Sequence, residues 1–115
     1  MRLLVYDITG NNAMTREAGE AVYDIIHPLL LEKQPVELDF TGVHRYLTVF
    51  FNFSVGQLYG DVDADILSSL LKVAGLNSVG EKVLDRVRDN AKRYYSDQNY
   101  RQAVDSLNAE QSIYL

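Results

Sequence analysis

At 115 residues, with a net charge of -5, no cysteine, 47% apolar and 23% charged residues, the chain is sized for one hydrophobic core and lies outside disordered composition. Disulfides, thiolate metal sites and cysteine nucleophiles are excluded, and sixteen acidic against eleven basic residues oppose a phosphate backbone as main partner, because affinity there comes from cationic contacts that release counterions. No apolar run reaches the roughly 18 residues of a membrane helix, and an Arg before a short Leu-Leu-Val run is no secretory signal, so the expectation is a cytoplasmic protein that binds neither membrane nor nucleic acid.

Met1 to Thr9 reads as a strand, with Leu3, Leu4, Val5 and Ile8 apolar and Gly10-Asn11-Asn12 as a turn. Thr15 opens a helix with Ala18, Val22, Ile25, Ile26, Leu29 and Leu30 on one face. Pro28 predicts a kink or an end near His27, since proline inside a helix costs about 3 kcal/mol. Val36, Leu38 and Phe40 alternate with Glu37 and Asp39, so residues 35 to 40 read as a buried strand that Thr41-Gly42 terminates. Thr48 is placed to accept the first N–H groups of a helix over about 48 to 59, whose apolar positions are Phe50, Phe51, Val55 and Leu58.

After a loop at Gly60 to Asp63, Ala64 to Ser69 reads as a short helix and Leu70 to Leu76 as a buried strand. Ser78-Val79-Gly80-Glu81 has capping-box spacing at the head of a long helix, with Val79, Val83, Leu84, Val87, Ala91, Tyr94 and Tyr95 on its apolar face. Tyr100 to Glu110 suggests a further helix carrying Ala103, Val104 and Leu107. Alternating strands and helices predict an α/β fold with a small, mainly parallel sheet and right-handed crossovers. The expected organisation is one domain over residues 1–96 and a helical extension over 97–115 packing on it.

The strand end Leu38-Asp39-Phe40-Thr41-Gly42-Val43, followed by Thr48, Phe51 and the Gly56-to-Leu58 segment, resembles the phosphoacceptor region of STAS domains, the anti-sigma-factor antagonist fold. It is most similar to a bacterial STAS-like family of unknown function, which Thr15-Arg16-Glu17-Ala18-Gly19 also resembles, and the likeness runs from about residue 1 to about residue 95. The resemblance implies a non-catalytic regulatory module that binds a protein partner through residues 41 to 59, a histidine-kinase-like ATPase being the candidate class, with homo-oligomers allowed and no cofactor. Phosphorylated antagonists carry Asp-Ser-Ser-Gly after the strand, whereas this chain has Leu47-Thr48-Val49-Phe50. Val49 stands where the phosphorylated serine would be, so Thr48 is the one residue of that segment able to take phosphate, and the expectation is that the switch has been lost.

The candidate switch or partner-binding set that the resemblance implies is Asp39, Thr41, Gly42, His44, Thr48, Phe50 and Phe51. The alternative is a small enzyme or nucleotide binder using Asp39, Thr41 and His44 at the carboxyl edge of the sheet, where α/β folds gather ligands. Asp39 shares a face with Glu37 and either caps the loop or meets solvent. Phe50, Phe51 and Phe53 span a wide arc of one helix, so at least one is expected at the surface, making a contact patch with Tyr46 and Tyr59. His27, beside Pro28, reads as structural. Asp61, Asp63 and Asp65 alternate as in a calcium loop but lack its remaining ligands. The run from Val5 to Asn12 lacks the glycines of a phosphate cradle, and the cations Lys82, Arg86, Arg88, Lys92 and Arg93 interleave with Glu81, Asp85 and Asp89 as on a solvated helix face.

Overall fold

The alternation at residues 36 to 40 is realised except at Asp39: Val36, Leu38 and Phe40 are buried and Glu37 is half-exposed, while Asp39 is buried as well, in a computed structural model of the chain, which describes residues 1–111 and side-chain surroundings as far as Leu107. The strands are β1 (Arg2–Leu4), β2 (Asn12–Ala13), β3 (Val36–Asp39), β4 (Arg45–Tyr46) and β5 (Leu71–Ala74). The helices are α1 (Tyr6–Thr9), α2 (Arg16–Leu31), α3 (Thr48–Ser54), α4 (Ala64–Leu70), α5 (Ser78–Ser96) and α6 (Gln98–Gln111), with a 3-10 turn at Gly56–Gly60.

β1, β3 and β5 form a parallel sheet in their chain order, while β2 and β4 make a separate two-stranded parallel ladder. Right-handed crossovers between strands taken in sequence must all lie on the same side, so the helices gather on one face. That face carries Leu3, Leu38 and Val73 in register, with Val36 beside Leu71. The other face carries Arg2, Glu37 and Lys72 in one row and Leu4, Asp39 and Ala74 in the next, and it is left open. Parallel sheets are ordinarily covered on both faces.

Several expected boundaries move. β1 ends at Leu4 and not Thr9, because Val5 turns into the core and its carbonyl accepts from the Ile8 and Thr9 N–H groups, closing α1. Thr15 does cap α2, its hydroxyl accepting from Ala18 N–H at 3.1 Å. The helix continues past Pro28 to Leu31, so of the expected kink or end near His27 the end does not occur. Ile26 and Leu30 lie fully buried on either side of the proline, and at about 1.5–3 kcal/mol each their burial outweighs a helix-proline cost of about 3 kcal/mol. Ile25, expected inward, is exposed. Leu70 ends α4, so β5 is shorter than the expected 70–76 strand. Asn77, one residue before the expected Ser78, caps α5 by accepting from Gly80 N–H at 2.9 Å, which leaves Val79 exposed instead of on the buried face.

α3 sits between α2 and α5, with Phe40, the residue after β3, against it. Gly19 makes the α2 approach possible: a Cβ there would lie 2.6 Å from the Phe50 carbonyl oxygen and 3.1 Å from Phe53 Cβ. Surrounded in this way, α3 buries Phe50, Phe51 and Phe53 together, so the expected exposed aromatic is absent. Phe40, Phe50, Phe51 and Tyr46 form one cluster with ring centroids 5.5–6.2 Å apart, the separations at which edge and tilted aromatic pairs attract.

α6 meets α5 near their junction. Tyr94 donates its hydroxyl to Asp105 at 2.6 Å, which pushes the phenol up to about 12, and Arg101 donates to the Tyr94 and Tyr95 carbonyls. Ala103 and Leu107, expected to face inward, are exposed.

Candidate functional site

Asp39 is the last residue of β3, at the carboxyl edge of the sheet. Its side chain projects from the open face, yet the residue is only 4% exposed because neighbours from three segments close over it. Thr41 donates both its backbone N–H, at 2.9 Å, and its hydroxyl, at 2.6 Å, to Oδ1, while Arg2 of β1 donates to Oδ2. Parallel pairing of β1 with β3 carries that guanidinium along the open face, where it also lies 3.3 Å from Glu37. From the third side Gly75, just past β5, comes so close that a Cβ would stand 2.7 Å from Thr41 N and 3.0 Å from Asp39 Oδ1, and its φ of +80° is one that side chains resist.

The two Thr41 hydrogen bonds, then Arg2, stabilise the ionised carboxylate and hold Asp39 down at about 2, below its usual 3.8. A group whose folded value is depressed contributes stability that is present above the unfolded value and lost as pH falls through the folded one. Urea unfolding midpoints are therefore expected to fall between pH 4 and pH 2 in the wild type. Asp39→Asn should lose midpoint at neutral pH and show a shallower decline across that window. Equal slopes in the two proteins would show that Asp39 is not held by these partners.

Gly42 takes the turn at φ +89°, with the Tyr6 ring packed against it, and Val43 turns inward. The chain then leaves along the surface. His44 and Asn11 pair through their backbones, the His44 carbonyl accepts from Asn77 Nδ2 at 3.4 Å, and Arg45–Tyr46 forms β4 on β2. Tyr46 is half-buried, donates to the Val43 carbonyl at 2.6 Å and covers Gly80 of α5. Both ends of the loop are thus anchored, leaving Thr41, His44, Arg45, Leu47 and Thr48 exposed.

Of the residues expected at the site, the structure joins Asp39, Thr41 and Gly42 into one turn and displays His44 and Thr48 beyond it. The His44 ring makes no hydrogen bond among the described residues, so it is not joined to Asp39 and Thr41 as an acid-base group would be. Thr48 is not the helix cap: Leu47 holds that position with extended backbone, and α3 has no side-chain cap hydrogen bond among the described residues. Phe50 and Phe51 are fully buried and cannot themselves touch a partner. Arg2 and Gly75 lie outside the expected site, and Arg45 and Leu47 fall within the expected 41 to 59 segment without having been singled out. The Arg2 contact depends on strand register, and a lone exposed leucine carries no local signal. Elsewhere, His27 stacks on Tyr23 and bonds both Asp61 oxygens at 2.9 and 3.0 Å, and Asp63 caps α4. Those two carboxylates therefore serve the fold.

A family model described as a STAS-like domain of unknown function, DUF4325, matches residues 18–81. The match runs from the first turn of α2 to the first turn of α5 and includes the whole turn just described. No curated protein and no solved structure matches the chain significantly.

Proposed function

We propose, for a chain that belongs to the family of STAS-like domains of unknown function, that it is a non-catalytic regulatory module whose partner docks on the surface from Thr41 to Thr48. One observation carries this reading: a run of exposed polar, cationic and apolar side chains, Thr41, His44, Arg45, Leu47 and Thr48, is anchored at both ends by the Asp39 turn and the β2–β4 ladder. A preorganised loop loses little entropy on docking, and Leu47, 46% exposed, supplies an apolar anchor beside a cation. Asp39 favours binding over catalysis, since its oxygens already accept from Thr41 and Arg2 and its proton is lost far below neutral pH. By family resemblance the partner is a regulatory protein of the histidine-kinase-like ATPase class.

Affinity capture from the native host tests the reading with the wild type, Leu47→Asp in the loop, and Ile25→Asp on the exposed back of α2. Retention of the partner is expected to fall about tenfold or more in the Leu47 variant and to be unchanged in the Ile25 variant. Equal retention by all three would remove this loop as the docking surface.

Val49 at the place of the phosphorylated serine supports a module without a phospho-switch, so Thr48→Glu and Thr48→Ala are expected to bind the purified partner equally well. Since Thr48 makes no cap bond, the Ala variant should lose less than the 0.5–2 kcal/mol typical of a removed cap. A selective loss of binding in the Glu form would restore the switch.

A further inference from the structure

β5 is an edge strand with one side unused. Among the described residues it pairs with β3 alone, and Ala74 C=O accepts from Phe40 N–H at 2.8 Å. Successive backbone groups of a strand point to opposite edges, so the N–H and C=O of Val73 point away from the sheet. Along that edge a groove separates β5 from α5. Two cavities of about 260 and 410 Å³ adjoin there and share Asp85 and Arg88; Val73, Leu76 and Leu84 line the first, Leu67, Leu71 and Tyr59 the second. From Glu81 to Lys92, α5 flanks the groove for about 16 Å at 1.5 Å per residue, the length of about five residues of strand.

The open face says what kind of strand fits. Lys72 projects from β5 beside Glu37, whose other neighbour across the sheet is Arg2 of β1. β1 is the opposite edge, so a second copy adding its β1 to β5 in the register that the sheet already uses would set Arg2 against Lys72. Cations placed on strand edges oppose edge-to-edge self-pairing, and like charges directly opposite are destabilising. A carboxylate at the same position would be attracted. Its two neighbours in the added strand would point to the other face, over Leu71, Val73 and Leu84.

We infer that the free edge of β5 receives an extended segment of a partner protein as a fourth strand, with an acidic residue beside Lys72 and apolar residues on either side of it turned into the groove under α5. This surface is separate from the Thr41–Thr48 loop, and its test does not depend on that loop.

The probe is the peptide acetyl-Thr-Val-Glu-Val-Thr-amide, titrated into the isotope-labelled full chain and followed by backbone amide resonances. Shifts are expected at residues 71 to 76, together with slowed hydrogen exchange at Val73 N–H. Replacing the peptide's Glu by Lys should weaken binding about fivefold, and Lys72→Glu, an exposed change whose folding is checked by its melting curve, should reverse that preference. Methylating alternate peptide nitrogens should abolish binding, because a strand without N–H donors cannot extend a ladder. Shifts absent at millimolar peptide, equal binding of the Glu and Lys peptides, or undiminished binding of the methylated peptide would overturn the inference. Self-association of the free chain that is sensitive to Lys72→Glu would overturn it too, by giving the edge to a second copy.

Discussion

Phe51→Ala is expected to lower the urea unfolding free energy by about 3–5 kcal/mol, the range for truncating a buried aromatic. Phe51 is fully buried and touches Phe40, Tyr46 and Phe50, rings from just past β3, from β4 and from its own helix. Its removal opens a cavity where three elements converge, and none of them can collapse inward without losing register with the sheet or with α5. Domains of this size have about 5–15 kcal/mol in total, so the variant should be partly unfolded at physiological temperature. A loss below about 1 kcal/mol would mean that the ring is not in the core.

Gly19→Ala is expected to destabilise by about 3 kcal/mol, with the opposite sign from helix propensity. In an open helix the change would gain roughly 0.5–1 kcal/mol, because glycine carries the larger backbone entropy cost. Here the new methyl would meet the Phe50 carbonyl oxygen at 2.6 Å, a backbone atom that cannot rotate aside, so α3 has to move as a body. Overpacking typically costs 1–3 kcal/mol, and displacement of a helix that carries three buried phenylalanines places this case at about the upper end. The comparison is with Ala21→Gly on the exposed side of α2, which should cost about 1 kcal/mol. A stabilised Gly19→Ala protein would show that α2 and α3 are not in contact there.

Elements whose burial follows a simple period are legible in this sequence. β3, α2 and α5 are readable because their buried residues recur at the spacing of a strand or a helix face, and the Thr41–Gly42 turn because glycine takes a backbone angle that few other residues accept. The STAS-like family is legible for a related reason, since the Leu38–Val43 run is local. Misreadings arise where surroundings override local pattern. Phe50, Phe51 and Phe53 look too widely spread for one core, but beyond its exposed first turn α3 is enclosed by α2, α5 and the sheet side, so none of the three rings faces outward. Pro28 looks like a helix end, but the burial of Ile26 and Leu30 carries the helix through. Asp39 is readable as a turn residue and unreadable as the partner of Arg2, because nothing in two strands more than thirty residues apart states their register.

The strand order of the sheet has a consequence for how the molecule is made. Each strand docks on the outer side of the one before it, so no later segment has to be threaded between two that have already paired. During synthesis β3 can settle on β1 once α2 has emerged, and β5 can settle on β3 once α3 and α4 have emerged. Every intermediate in that series is a smaller version of the same layer, exposing one apolar helix-side margin that the next crossover covers. Assembly of this kind runs in the direction of translation, with α5 closing the layer only after all three strands are in place.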